Sequence, residues 1–417
     1  MVDAFRGRDA LSVVVPVLAA AAAAIREQVV NGVSVCVVVA IVLAPVWIGA
    51  LREYRWARTL VALGLAAAAW GAGATLLQTE RGIDLVLLRQ ETGTLLSLVG
   101  GVGLLLWARS RIGVGATVLS FAVGALLNVA LSGGNPANLW KYSLAVPVAL
   151  LLLGLAARTG ERWLPVVVLG GLAIVSALSD SRSMTSFLLL AGAAMLWQAA
   201  GERGSRARPW TALVALAAVG LAAASLLQAL ILDGVLGQSA QQRSEAQIDA
   251  SGSIITGARP ELGAATALIA ARPLGYGSGT LPSSRDVWSA KQGMQLLGYD
   301  PDNGYVDRFM FGGHYEVHSV LGDLWIRFGP LGAALVVLIV AVGIAGLASG
   351  LSVRHASGAL VLLALLGAWD ALFSPMLTSY RSLALLFAIA AVPLVTASAS
   401  RPSRRSGAPS AESSTPS

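Results

Sequence analysis

The sequence predicts an all-α polytopic integral membrane protein of about twelve transmembrane helices with one large extracytoplasmic loop. Three observations carry that expectation. Hydrophobic residues make up 56% of the 417 and charged residues only 12%, whereas a soluble domain carries about 25% charged residues. Apolar runs such as 331–347 and 359–373 recur along the chain, continuous rather than alternating in and out, which selects helices over a barrel. The basic residues then fall on alternate sides of those runs.

In order, the spans are expected at 11–25, 31–51, 59–77, 93–108, 112–131, 142–157, 163–179, 184–200, 210–232, 319–348, 358–373 and 382–397. This divides the chain into nine N-terminal helices (1–232), the large loop (233–318), three C-terminal helices (319–397) and a Ser, Pro and Arg rich tail (398–417) expected to be a disordered cytoplasmic extension. Arg6 and Arg8 ahead of an apolar stretch resemble a signal peptide, but Arg26-Glu27-Gln28 is a poor cleavage site, so the stretch reads as a retained first helix. One side collects sixteen basic residues, Arg52, Arg55, Arg58, Arg109 and Arg111 among them, while the short loops of the other side hold six: Arg26, Arg81, Arg89, Lys141, Arg182 and Arg381. The positive-inside rule therefore places both termini in the cytoplasm and the long loop outside. The net charge of +7 follows from this topology and calls for no nucleic-acid partner. The single Cys36, within an apolar span, can form neither an internal disulfide nor a cysteine-based metal site.

The long loop exceeds the few residues that a connection needs, so it is expected to fold against the outer face. Within it, Arg259-Pro260-Glu261 precedes an apolar, helix-like run to Ala271, followed by Arg272-Pro273-Leu274-Gly275-Tyr276-Gly277-Ser278-Gly279. Gly275 and Gly277 allow a close backbone approach to a bulky or anionic ligand, or else mark a flexible turn. His314 and His318 stand at i, i+4, the spacing of one helical face, yet the order H-Y-E-V-H lacks the H-E-x-x-H of a zinc protease, and no metal is assigned. Arg182 stands at the outer mouth of the eighth span, either snorkelling or functional. Arg182, Arg243, Arg259 and Arg272 could converge on the outer face, where guanidinium forks suit a diphosphate.

Three patches, in this order, resemble the superfamily of O-antigen ligases and O-antigen polymerases: Ser181-Arg182-Ser183 opening an apolar helix, the Arg259 to Gly279 run, and His318 followed by a Leu-rich helix and Gly329-Pro330-Leu331-Gly332. Lys141, after Asn138-Leu139-Trp140, is similar to a further family feature; the likeness covers about residues 140 to 348, and the first five spans fit by topology only. The resemblance implies a GT-C-like, metal-independent glycosyltransferase without cofactors, in the plasma membrane of a bacterium. Its donor would be an undecaprenyl-diphosphate-linked glycan, its acceptor a glycan or lipid-glycan, and its surroundings membrane lipid. Carried onto this chain, Arg182 and Arg259 would hold the diphosphate, with Arg272, Arg243 and Lys141 as further substrate contacts. His318 would orient or deprotonate the acceptor hydroxyl. Ser319 stands where family members commonly have Asn, and His314 with Glu316 offers a second base. A transporter or flippase is the competing class, yet it would more often place ionisable groups mid-span, where this chain has few, Asp370 being the clearest case.

Overall fold

The computed structural model describes residues 7–78, 80–201 and 259–394, with Arg208, Thr211 and Val214 besides. The expected ninth span (210–232), the start of the long loop with Arg243, and the tail lie outside the described residues.

Helices α1 (Gly7–Ala22), α2 (Val35–Val42), α3 (Ala44–Ala50), α4 (Ala57–Leu76), α5 (Leu85–Ser132), α6 (Ala145–Thr159), α7 (Leu164–Leu178) and α8 (Arg182–Ala200) form the first half. After the undescribed segment come α9 (Glu261–Ala271), α10 (Ser284–Gln295), α11 (Val320–Ser352), α12 (Gly358–Phe373) and α13 (Met376–Ala390). Among the described residues five helical stretches are long and apolar enough to cross a bilayer: α4, α5, the π-turn Trp140–Leu144 with α6, α8 and α11. Together with the bent pair α2 and α3 and the shorter apolar helices α1, α7, α12 and α13, they make this a multi-pass α-helical membrane protein. Among the described residues the sheet content is one antiparallel hairpin, β1 (Gln28–Val30) with β2 (Val33–Ser34).

Four expectations change. The span expected at 31–51 begins as that hairpin, turned by Gly32 at φ +85°, and then bends by 80° between α2 and α3. Pro45, in the first turn of α3, has no N–H to continue the α2 ladder. The fourth and fifth spans are the two arms of α5, broken at Gly113 (φ 78°, ψ 168°), a conformation glycine adopts without a Cβ penalty. Arg109 Nη1 donates to the carbonyls of Ala388, Ile389 and Ala391 at one end of α13. Asn128, in the second arm, accepts from Arg26 N, near Ala24 and the other end of α13. The arms therefore run in opposite directions. The last span starts earlier than 382, so Arg381 stands inside α13, where its Nη1 donates to Ala24 O at 2.6 Å. The tenth span breaks at Gly329 (φ 64°, ψ −161°).

The described part of the long loop has a core of its own, with Leu268, Tyr276, Met294, Met310 and Tyr315 buried together. It is fastened to the bundle by backbone bonds from Ser278 N to Gly71 O and from Asp84 N to Gly279 O, and by one buried ion pair. Arg81, between α4 and α5, reaches both carboxylate oxygens of Asp286 at 2.8 and 2.7 Å. Asp286 is also the N3 partner of Ser283 in the capping box of α10 and accepts from Tyr315 Oη at 2.8 Å. Burial alone would raise its pKa, but the bonds from Arg81, Ser283 and Tyr315 prevail and bring it down to about 2.

Replacing Asp286 with Asn is expected to lower the thermal midpoint of the detergent-solubilised protein at neutral pH, because Arg81 is left buried without its charge partner, at about 3 kcal/mol. Since the folded-state pKa is depressed, the contribution is present above the ordinary carboxylate range and fades as pH falls towards about 2. The gap between wild type and D286N should therefore close on acidification, and a gap independent of pH would exclude the ion pair as its origin.

Candidate functional site

The site is built around the turn that leads into α11. Ser319 caps that helix, accepting from Gly322 N and donating to Ala371 O at 3.0 Å. Just before it, His318 has φ 48°, a left-handed conformation that disfavours residues with a Cβ by about 1 kcal/mol. The turn is held from below: Asp323, 1% exposed, accepts from Val317 N and Met376 N, each at 2.9 Å. One turn on, Arg327 donates to Glu91 of α5 at 2.8 Å and to the carbonyl of Tyr315 through Nε and Nη2. Asp323, Arg327 and Glu91 thus join α11, α5, α13 and the loop.

With its backbone fixed, the His318 ring lies between two oxygen groups. Tyr305 Oη is 3.4 Å from Nδ1, and Glu316 Oε1 is 3.5 Å from Nε2. Tyr305 gives its own proton to Glu261 Oε1 at 2.8 Å, and Glu261 Oε2 is buried without a hydrogen-bond partner. Glu316 also lies 3.7 Å from His314 Nε2. Burial would raise the Glu316 carboxyl, but its contact with His314 and the nearby His318 and Arg327 hold it below its usual range. Burial and then the Glu261 charge push the Tyr305 phenol up, so it remains a neutral donor. An imidazole so flanked can take a proton from a hydroxyl and share it with a carboxylate, with contacts that shorten when the acceptor is in place.

Arg259, two residues before Glu261, stacks its guanidinium 5.1 Å from Trp369 and 5.6 Å from Phe373 at the end of α12. Trp369 meets Phe187 of α8 edge to face at 5.4 Å. Arg182, the first residue of α8, lies 3.6 Å from Asp180. His318 and Arg259 are therefore gathered around one end of α12, and Arg182 opens the helix whose Phe187 packs on Trp369. Asp370 belongs to this end as well, accepting from Ser374 Oγ at 2.6 Å, and is not a mid-span charge.

Arg272, Lys141, Gly275 and Gly277 do not join them. Arg272 and Arg259 flank opposite ends of α9, whose 11 residues span roughly 16 Å. Arg272 is held there by Gln78 Oε1 at 2.7 Å and by the Tyr276 ring. Lys141 lines a separate cavity of ≈ 790 Å³ with Arg26 and Arg381. Gly275 and Gly277 do permit close approach, but of the protein's own backbone. A Cβ on Gly275 would come 2.8 Å from Gly329 N, and one on Gly277 2.5 Å from Thr75 N. They serve packing, not a ligand. His314 and His318 lie in irregular backbone, not on a helical face, and meet through Glu316 instead. Among the described residues no group of three or more His, Cys, Asp or Glu is arranged to hold a metal ion.

Sequence reasoning missed Tyr305, Glu91, Arg327 and the aromatic shelf of Trp369 and Phe373. Arg327 carried a signal, because a charge inside an apolar helix demands a partner; Tyr305 carried none. No family model, curated protein or solved structure matches the chain.

Gly277→Ala is expected to destabilise the protein by about 1–3 kcal/mol, since φ +102° and the Thr75 backbone both oppose a methyl group. A thermal midpoint equal to wild type would show that the loop can retreat from α4.

Proposed function

We propose that this chain transfers a glycan from an undecaprenyl-diphosphate carrier to an acceptor hydroxyl at the extracytoplasmic face of a bacterial plasma membrane, as a ligase or polymerase of the O-antigen type. The twelve spans, the GT-C-like architecture and the cytoplasmic termini expected from sequence belong to the same reading. The observation that carries it is the His318, Glu316 and Tyr305 cluster beside Arg259 on its aromatic shelf.

In this reading His318 takes the acceptor proton as the hydroxyl oxygen attacks the anomeric carbon. The carbon–oxygen bond to the diphosphate breaks, and the electron pair leaves with the diphosphate. Arg259 and Arg182 offset the charge that develops there, a stabilisation that suffices for so good a leaving group. Trp369 and Phe373 keep the Arg259 fork oriented before substrate arrives. Glu316 stabilises the imidazolium until the proton passes to water. Tyr305, fixed by Glu261, orients the ring. A transporter gains no support from Asp370 at the end of α12.

Deleting the gene should cause lipid-linked glycan to accumulate and long chains to disappear; unchanged envelope glycans would sink the proposal. In a correctly inserted protein, His318→Ala should lower transfer by about 10²–10⁴-fold. Arg259→Lys should also impair it, because an ammonium cannot reproduce the bidentate fork. Tyr305→Phe keeps the ring but drops the bond to Glu261, so it should reduce turnover more than acceptor affinity. Transfer should persist in excess chelator, and full activity of H318A would remove the base from the mechanism.

A further inference from the structure

The cavity of ≈ 790 Å³ that Lys141 lines lies away from His318, between the turn after α1, the second arm of α5, the start of α6 and α13. Its wall carries three cations, Arg26, Lys141 and Arg381, against one acid, Glu27. Among the described residues none of the three cations has an ion pair. Lys141 Nζ has only the Tyr142 ring, 5.3 Å away. Arg381 is tied down by one bond, from Nη1 to Ala24 O. That carbonyl lies just past the C-terminus of α1, the negative end of the helix dipole, which fixes the guanidinium while leaving most of its five N–H donors unused. Asn128 holds the neighbouring Arg26 backbone at 2.6 Å. Like charges set around one cavity at a membrane boundary repel each other unless an anion sits between them.

The remaining wall shows what kind of anion. Phe121, Val129 and Leu150 continue the cavity along apolar helix faces, and Leu131 and Tyr142, next in sequence to the lining residues Ser132 and Lys141, are 62% and 59% exposed. Cations at one end and apolar helix along the other match a molecule with a phosphate head and an acyl body. The volume lies within the range of small-molecule sites.

We propose that this cavity binds a phosphate-ester anion, with an anionic phospholipid headgroup as its occupant. The site is separate from the His318 cluster and stands whether or not that cluster transfers glycans. Arg26 and Lys141 make no side-chain hydrogen bond among the described residues, so an Arg26→Gln, Lys141→Gln double variant can discharge the cavity without unpicking the fold. Arg381→Gln also removes the tie to α1 and serves as a second variant.

The test compares the full-length protein in nanodiscs of phosphatidylglycerol with nanodiscs of phosphatidylcholine, counting retained lipids by native mass spectrometry, with inorganic phosphate as soluble competitor. Wild type is expected to retain phosphatidylglycerol selectively, and each lost cation should weaken that retention by about tenfold. Phosphate that binds wild type but not the double variant, without lipid selectivity, would assign the same site to a soluble phosphate ester. Equal retention of both lipids by wild type and variants, with no phosphate binding, would overturn the proposal.

Discussion

Asp323 is a carboxylate with almost no solvent, and its position decides how the upper part of the molecule is put together. One oxygen accepts from the loop at Val317 and the other from the first residue of α13 at Met376. One turn away, Arg327 supplies the opposite charge and spends its own donors on Glu91 and the Tyr315 carbonyl. Each ion would be costly alone, and removing one partner of such a set costs about 3–5 kcal/mol because the others stay buried. That penalty makes the arrangement specific. The loop, α5, α11 and α13 can meet in one way that satisfies every charge, and His318 sits where they meet.

A second constraint is steric. The loop approaches the bundle closely enough that Gly275 and Gly277 leave no room for a side chain against Gly329 and Thr75. Backbone then bonds to backbone and side chain, as from Tyr276 N to Ile326 O at 2.7 Å and from Gly279 N to Thr75 Oγ1 at 2.9 Å. The loop is thereby placed with the precision of a packed element rather than a tether. That precision lets Tyr305, from the loop, meet His318, at the mouth of α11, at hydrogen-bonding distance.

The membrane class was legible because it rests on composition and long apolar runs, which tertiary context does not overturn. Span boundaries were less so. The run 31–51 reads as continuous hydrophobicity, and only Pro45 hints that it bends. Residues 376–381 look like loop because Arg381 stands there, yet its partner is a carbonyl some 357 residues away in sequence. At the site, the neighbourhood of His318, Arg259 and Arg182 could be read from short patches, but the partners could not. Tyr305 and Trp369 reach it through folding, not spacing. The glycine run at Gly275 to Gly279 left its purpose open because close approach looks the same in sequence whether a ligand or the protein's own backbone occupies the space.

The break at Gly329 has a consequence for how the chain meets the bilayer. Ahead of it lie nine residues, Val320 to Phe328, roughly 13 Å of helix. Beyond it, Pro330 to Ser352 are 23 residues without a single charge, roughly 34 Å, enough to cross a hydrocarbon core alone. The long helix is therefore two pieces with different duties. The far piece carries nothing ionisable and packs one side, with Leu335, Val336 and Ile339, into the core of the bundle. The near piece is a half-helix enclosed by protein, and because Asp323 and Arg327 both belong to it, every charge on α11 is solvated by other parts of the fold instead of by the membrane.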